Sequence, residues 1–328
     1  MAKIVAVDTD FEDNNLEAEM ARAAGVDFEA TRGRSAEAVI KSLQETGADG
    51  AVTSYALFPR EVFEACPNLK VVSRTGVGYD EIDVEAATEH GVAVCNVPGY
   101  GTEVVSDHAI TLALSVLRRI NELDADMRRG VWDYARTRPL GQCRGRVFGV
   151  VGMGEIGRAT AKKAAGLGFD VVCWSRSLKP GRRTPEGHPV LRLEELLQTA
   201  DVVSLHTALT PETHHLINAE RLALMKPDAV LVNTARGAVV DTVALAKALS
   251  EGKLWGAGLD VFEEEQPFDF NHPIMKAPHT VLSAHAAYWS EESGRELRER
   301  AMQAAIDAVQ GRVPVDCLNP CVFESPAK

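Results

Sequence analysis

The sequence predicts an α/β protein made of two domains, each a doubly wound parallel sheet, with the first domain discontinuous in the chain. Three observations predict it. A length of 328 residues accommodates two separate cores. Short apolar runs alternate with helix-like segments along most of the chain. The stretch from Arg146 to Gly168 (RVFGVVGMGEIGRATAKKAAGLG) reads as strand, glycine turn and helix, with a second apolar run behind it.

Taken in order, Lys3–Asp8 is expected as a strand, Asn14–Ala24 and Ala36–Thr46 as helices, and Gly50–Thr53 as a short buried strand. Arg60–Ala65 is a helical turn before Pro67, and Lys70–Ser73 another apolar strand. Directly after it comes Arg74-Thr75-Gly76-Val77-Gly78-Tyr79-Asp80. Its two glycines can turn main-chain N–H groups into a concavity for a carboxylate, although a plain strand-ending turn reads equally well. Asn96–Gly101 (NVPGYG) breaks the alternation and reads as a crossing between domains. Thr102 to about Met127 reads as one long helix, apolar on most of its circumference, and so buried between domains or in a subunit interface. The arm Arg128–Arg144 is polar and irregular, with Trp132 and Tyr134 placed where a partner chain would cover them.

The glycine turn opens the second domain. Val147, Phe148, Val150 and Val151 form a strand of the doubly buried kind, followed by Gly152-Met153-Gly154-Glu155-Ile156-Gly157. Gly152 permits the tight turn, Gly154 admits a pyrophosphate to the backbone, and Gly157 lets helix and strand pack closely. The helix N-terminus offers N–H groups and a positive dipole end to the phosphates. Val171–Trp174 is the next strand, Ser177–Pro189 a loop and Leu193–Gln198 a short helix. Asp201–His206, Ala229–Asn233, Gly256–Asp260 and Thr280–Ser283 are four further strands. The last helix, about Ser290 to Gly311, and its tail are expected to return to the first domain. Residues 1–98 and 291–328 are then a substrate domain, and 101–289 a dinucleotide-binding domain.

Composition excludes other classes. Hydrophobic residues at 45% and charged residues at 25% are those of an ordinary globular protein. A net charge of −12 argues against nucleic acid and anionic membranes, both of which favour basic patches. The start MAKIVAVDTDFED turns acidic at Asp8, unlike a signal peptide, and the apolar run Ala109–Leu117 is too short to span a bilayer. The six cysteines show no C-x-x-C pair and no zinc spacing, so no metal is expected, and they read as reduced thiols of a cytoplasmic protein.

In an open parallel sheet, ligands sit beyond the carboxyl ends of the strands. Those ends carry His206-Thr207, Asn233-Thr234-Ala235-Arg236, Asp260 and His285. Arg236 reads either as a salt bridge at a sheet edge or as the group that holds a substrate carboxylate and polarises its carbonyl. Glu263-Glu264-Glu265 reads either as a solvated acidic loop or as the source of a carboxylate for the histidine. His285, between small residues in Ser283-Ala284-His285-Ala286-Ala287, is either a satisfied core histidine or a proton donor. Together they make a coherent set: Arg236 for the carboxylate, His285 for the proton, Glu265 to orient and charge the imidazole.

With these residues in place, the chain resembles the D-2-hydroxyacid dehydrogenases. The resemblance runs through SRTGVGYDEID, NVPGYGTE, VVGMGEIGRA, NTARGAVVD, GAGLDVFEEE and LSAHAA, over nearly the whole chain. It implies two Rossmann-like domains, a nicotinamide cofactor, a 2-oxo or 2-hydroxy acid substrate, and Arg236, Glu265 and His285 as catalytic residues. Gln266 stands where the family has proline, which leaves Glu264 as the neighbouring candidate. The cofactor contacts expected are Gly152, Gly154, Glu155, Ile156, Gly157, Ser175, Arg176, Thr207, Thr213, Thr234, Ala235, Arg236, Asp260 and His285, with Asp260 on the nicotinamide amide. The substrate contacts expected are Tyr55, Val77, Gly78, Arg236, His285 and Tyr288, with the Val77-Gly78 turn on the carboxylate.

Within the family, Thr213-His214-His215-Leu216-Ile217-Asn218, HAAYWSEES and GRVP look most like the C-terminal binding protein branch, whose animal members are nucleotide-sensing corepressors. The absence of long disordered extensions favours a bacterial-type enzyme, with the nucleotide-sensing interaction protein as the alternative. The resemblance also implies a homodimer through the Thr102–Met127 helix and the arm. Relatives that take a phosphorylated substrate hold it with basic residues on the loop after Thr53. Here that loop is Ser54-Tyr55-Ala56-Leu57-Phe58, so a small or apolar 2-oxo acid is expected. Where NAD enzymes end the second strand with an acidic residue, this chain has Ser175 and then Arg176, with Lys179, Arg182 and Arg183 nearby. A hydroxyl removes the repulsion against a 2′-phosphate and an arginine offers it a planar fork, so NADP(H) is expected over NAD(H).

Overall fold

The structure, a computed structural model, describes residues 1–9, 11–138, 140–265 and 268–324. The chain divides into two compact units, Met1–Tyr100 with Ser290–Lys328, and Gly101–Trp289.

The first unit runs β1 (Lys3–Ala6), α1 (Asn15–Ala24), β2 (Asp27–Ala30), α2 (Ala36–Thr46), β3 (Gly50–Thr53), α3 (Arg60–Ala65), β4 (Val71–Arg74), α4 (Val84–Glu89) and β5 (Ala93–Cys95). Its sheet is wholly parallel, in the order β2-β1-β3-β4-β5. β3 and β4 are buried at all four residues, as strands covered on both faces must be. β2 (DFEA) is a mostly exposed edge strand whose alternating acidic residues hide it in the sequence, and β5 is only three residues long. Neither was expected.

The second unit begins with α5 (Thr102–Arg118) and α6 (Ile120–Arg128). It continues with β6 (Val147–Val151), α7 (Glu155–Gly166), β7 (Asp170–Trp174), α8 (Leu193–Thr199), β8 (Val202–Leu205), α9 (Ala219–Leu222), β9 (Val230–Asn233), α10 (Thr242–Ser250), β10 (Gly256–Leu259) and β11 (Thr280–Leu282). Its six strands are parallel in the order β11-β10-β9-β8-β6-β7, so the winding reverses between β6 and β8. The last helix, α11 (Glu291–Val309), belongs to the first unit: it packs on α1, β3 and β4, and Ser73 Oγ donates to its Ala301 carbonyl at 2.8 Å. A capping box of Ser290 and Ser293 starts it.

The single long helix expected over Thr102–Met127 is two helices. Arg119 has φ 52°, the left-handed conformation, and ends α5. No glycine or proline marks the break. Side-chain contacts hold it instead, one tertiary and one local: the Arg119 guanidinium lies 5.6 Å from the Trp255 ring centroid, and its Nε donates to Glu122 at 3.0 Å. The apolar face of α5 is accounted for within its own unit, where it packs on β9, β10 and α7. Trp132 and Tyr134 of the irregular arm are 87% and 69% exposed. Among the described residues, no helix is long and apolar enough to cross a membrane.

Candidate active site

The register of the second sheet lines up Trp174, Val151, Leu205, Asn233, Leu259 and Leu282 as one row across all six strands. The next residue on each strand is Ser175, Gly152, His206, Thr234, Asp260 and Ser283. Parallel pairing thus delivers six loop starts to one edge, and nearly every expected nucleotide-side residue lies on it or within a few positions of it. The crevice at the switch point falls between β6 and β8.

At that point Gly152 has φ 103°, and a Cβ there would come within 2.4 Å of the His206 carbonyl oxygen. Any side chain would push the two loops apart. A Cβ on Gly157 would lie 1.9 Å from the Gly152 oxygen, so α7 reaches the turn only because this residue is glycine. At Gly154 a Cβ would meet nothing within 4 Å. The Met153 and Gly154 N–H groups have no hydrogen-bond partner among the described residues, and α7 begins directly behind them at Glu155. Thr207 Oγ1 and Thr234 Oγ1, on neighbouring loops, are buried without a partner. Open N–H groups, orphaned hydroxyls and clear space fit a dinucleotide's phosphates and ribose. Glu155 is exposed, and Thr102 Oγ1 lies 3.4 Å from its Oε2; Ile156 is half-buried. The Thr213 hydroxyl is already used inside its loop, accepting from Thr210 N and donating to the Ala208 carbonyl, each at 2.7 Å.

The crevice continues as an open cleft of about 610 Å³, whose walls include Gly152, Gly154, Ser175, Arg176, Thr207 and Thr213. Arg176 is largely exposed, with Nη1 3.7 Å from Glu212 Oε2. Glu212, Arg192 and Arg221 line the same cleft and were not anticipated. They lie far from the glycine turn in sequence, Arg221 on α9, and only the cation just before the α8 pattern hinted at Arg192.

The other end of the row carries the histidine. Asp260, fully buried, accepts from Ser283 Oγ at 2.5 Å and from the Ala286 and Ala287 N–H groups at 2.9 Å each. Its carbonyl accepts from the His285 N–H at 2.7 Å. His285 is held at φ 51°, a left-handed conformation uncommon for a residue with a side chain. Its Nδ1 lies 2.6 Å from Glu265 Oε2, so Glu265 rather than Glu264 partners the ring. Glu265 is anchored in turn by the Phe262 N–H, donating to Oε1 at 3.2 Å. Gln266 lies outside the described residues. Tyr288 faces His285 edge-on, with ring centroids 6.1 Å apart. On β9, Asn233 stitches the following turn, its Nδ2 donating to the Arg236 carbonyl at 2.9 Å and its Oδ1 accepting from the Ala235 N–H at 3.0 Å. A Cβ at Gly237 would lie 1.8 Å from the Phe262 carbonyl carbon, so the Arg236 turn sits against the segment leading to Glu265.

In the first unit, the turn after β4 has its carbonyls tied back: Gly76 O accepts from the Val97 N–H at 2.8 Å and Val77 O from Asn96 Nδ2 at 2.7 Å. The Val77 and Gly78 N–H groups have no partner among the described residues. Tyr55 lies under two guanidiniums, Arg34 at 5.0 Å and Arg74 at 5.5 Å from its centroid.

The family model for the D-isomer specific 2-hydroxyacid dehydrogenase NAD binding domain matches residues 110–287. A glyoxylate reductase of Thermococcus litoralis is 42% identical over 272 residues, covering 81% of this chain and 82% of that protein. Among solved structures, the D-lactate dehydrogenase of Aquifex aeolicus, complexed with NAD and lactic acid, superposes with a TM-score of 0.87 at 26% identity, covering 100% of both chains. An acyclic imino acid reductase in complex with NADPH and D-arginine gives 0.86 at 26% identity, covering 96% of this chain and 99% of its own. The matched domain holds the glycine turn, the row of strand ends and the Glu265–His285 pair, and the chain therefore belongs to the D-isomer specific 2-hydroxyacid dehydrogenases, oxidoreductases that act on 2-hydroxy acids with a nicotinamide cofactor.

Proposed function

We propose that this chain reduces small, unphosphorylated 2-oxo acids of the glyoxylate type to 2-hydroxy acids, and that it prefers NADP(H) to NAD(H). The observation that carries the reading is the Glu265–His285 hydrogen bond at 2.6 Å, in a unit whose strand ends also present Arg236 and an open glycine turn. A nicotinamide cofactor, when bound, would supply the hydride. Glu265 fixes Nδ1 of His285, which leaves Nε2 to give its proton to the substrate's carbonyl oxygen and to take it back in the reverse reaction. Arg236 binds the carboxylate and stabilises negative charge as it develops on that oxygen. The open Val77 and Gly78 N–H groups fit a role on the carboxylate, with Tyr55 and Tyr288 beside the rest of the substrate. Met1–Tyr100 with the C-terminal segment is then the substrate domain, and Gly101–Trp289 the nucleotide domain.

Several features support the finer parts of this reading. The loop Ser54-Tyr55-Ala56-Leu57-Phe58 carries no cation of its own for a substrate phosphate, and of the two guanidiniums over Tyr55, Arg34 reaches Asp8 at 3.4 Å and Arg74 donates to the Thr75 carbonyl at 2.7 Å. Ser175 and Arg176 in the cleft suit a 2′-phosphate. The relatives are reductases and dehydrogenases, which favours an enzyme over a nucleotide-sensing interaction protein. The exposed Trp132 and Tyr134 suit a two-fold dimer contact. Six unpaired thiols suit the cytoplasm. A steady-state assay over a panel of 2-oxo acids, with NADPH and NADH, tests the proposal. Turnover of glyoxylate or a near homologue is expected; a best substrate bearing a phosphate, or no reduction of any member, overturns it.

A further inference from the structure

We propose that Cys95 and Cys317 are a redox site, a thiol pair that closes to a reversible disulfide and fastens the C-terminal segment to the edge of the first sheet. The pairing geometry carries this. β5 ends at Cys95, and residues 316–318 run antiparallel beside it. Leu318 N donates to the Val94 carbonyl at 2.8 Å, and Asn96 N to the Asp316 carbonyl at 3.4 Å. Those two bonds flank Cys95 and Cys317, which makes them a directly opposed, non-hydrogen-bonded pair. Such positions bring Cα atoms to about 4.5 Å. That falls within the range of about 4.4–6.8 Å that a disulfide spans.

The surroundings hold the thiols in opposition. Asn319 clamps the segment: its Oδ1 accepts from Val94 N at 2.8 Å, and its Nδ2 donates to Thr88 Oγ1 at 2.8 Å and to the Val92 carbonyl at 2.9 Å. Cys95 is fully buried and Cys317 only partly, so one sulfur is open to reagent and the other is held behind it. The neighbouring Cys95 thiol, with main-chain groups of Asn319 and Val94, lowers the Cys317 thiol below its ordinary value against the effect of burial, and Cys317 Sγ donates to Asn319 Oδ1 at 3.6 Å. Cys317, the more exposed of the two, is the sulfur that attacks. The exposed Cys321 has its own bond to the Asn319 carbonyl at 3.8 Å and does not face Cys95.

The oxidant is a low-molecular-weight disulfide such as oxidised glutathione. The Cys317 thiolate attacks one of its sulfurs, forms a mixed disulfide and releases one glutathione thiolate, which takes up a proton. The Cys95 thiol then loses its proton and attacks the Cys317 sulfur, expelling the second glutathione. Two protein thiols are oxidised to one disulfide, and one oxidised glutathione is reduced to two thiols. The bond lies one residue from Asn96, whose side chain holds the Val77 carbonyl.

The full-length protein, reduced and then treated with oxidised glutathione at neutral pH, is digested under non-reducing conditions and its peptides are weighed. A peptide pair joined through Cys95 and Cys317 is expected in the wild type and in Cys321→Ser, absent from Cys95→Ser and Cys317→Ser, and released by dithiothreitol. Oxidation should raise Tm by several degrees in the wild type and leave Cys317→Ser unmoved, because the bond closes a very long loop. The partly exposed Cys317→Ser keeps the test informative even where Cys95→Ser folds poorly. Glutathione retained on Cys317, or a Cys317–Cys321 link, without the Cys95–Cys317 peptide overturns the proposal.

Discussion

Asp260 holds the main chain on both sides of His285. Its carbonyl takes the His285 N–H at 2.7 Å, while its buried carboxylate takes the N–H groups of Ala286 and Ala287 at 2.9 Å each. Both oxygens of the side chain therefore face donors, and Ser283 Oγ supplies a third. The left-handed conformation of His285 is maintained by this set rather than by local preference.

The consequence is testable with Asp260→Asn. An amide keeps one acceptor and turns an NH2 group toward a donor that it cannot satisfy. Leaving one buried donor unpaired costs about 1–3 kcal/mol, so a loss of that size in unfolding free energy is expected. Turnover should fall as well, since the imidazole loses its fixed orientation. Urea denaturation and initial rates check both; a variant with parental stability would show that the carboxylate is not what holds the turn.

On the roles proposed above, His285→Ala removes the proton donor and should lower kcat by a factor of ~10² or more, the scale of general acid catalysis. Cofactor affinity should change far less. Glu265→Gln keeps the size of the side chain and loses the charge next to Nδ1 of His285, so its kcat should fall as well. Near-parental turnover in His285→Ala would remove the histidine from the mechanism.

His206 links stability to pH. It follows β8, its Nε2 is 2.9 Å from Ser204 Oγ, and burial pushes its imidazole from 6.5 down to about 4. Between those values the unfolded chain binds a proton that the folded chain does not, so stability rises with pH and is lost as pH falls toward 4. Between pH 7 and pH 5 the loss should be about 1–2 kcal/mol, the lower figure allowing for the surface His206 keeps. His206→Gln retains a partner for Ser204 and cannot titrate, so its urea midpoint should depend less on pH over that interval. An equal dependence in the variant would put the effect elsewhere.

Much of this molecule is legible in its residues. The Val147–Val151 run, the three glycines and the helix behind them carry enough local information to locate a dinucleotide turn. NTARG, DVFEEE and SAHAA mark three further strand ends. What stayed hidden depends on tertiary contact. Arg119 breaks α5 because Trp255 and Glu122 hold it, and no residue at the break advertises this. β2 escaped because an edge strand with one face in water need not be apolar. Asp260 could be placed at a strand end, but not as the group that binds the 283–287 turn, because its partners lie 23 to 27 residues further along. Glu212 and Arg221 enter the cleft by folding alone.

On the reading proposed above, cofactor preference turns on Ser175, Arg176 and Glu212. Ser175 occupies the row position where a carboxylate would accept from an adenosine ribose, and its Oγ is 3.3 Å from Ser177 Oγ, so two small hydroxyls stand where an acidic side chain would repel a 2′-phosphate. Arg176 has a largely exposed guanidinium on the cleft wall, and Arg192 and Arg221 line the same space. Arg221 is partly committed to Glu194 at 3.4 Å, which leaves Arg176 as the better-placed fork for a phosphate. Glu212 opposes this. Its carboxyl is held below the usual carboxylate range by the Thr210 hydroxyl, and it lies 3.7 Å from Arg176. A 2′-phosphate would have to displace that contact and bear its negative charge. Exposed pairs of this kind contribute far less than a charge-assisted phosphate contact, so the arginine should outweigh the glutamate. Wild-type kcat/KM is therefore expected to favour NADPH over NADH. Arg176→Ala should move the ratio toward NADH by ~10-fold, the worth of one charge-assisted contact. Glu212→Gln should move it the other way by about 2- to 5-fold, the worth of the exposed pair. A wild type that favours NADH, or an Arg176→Ala variant with an unchanged ratio, would assign the 2′-position to other residues.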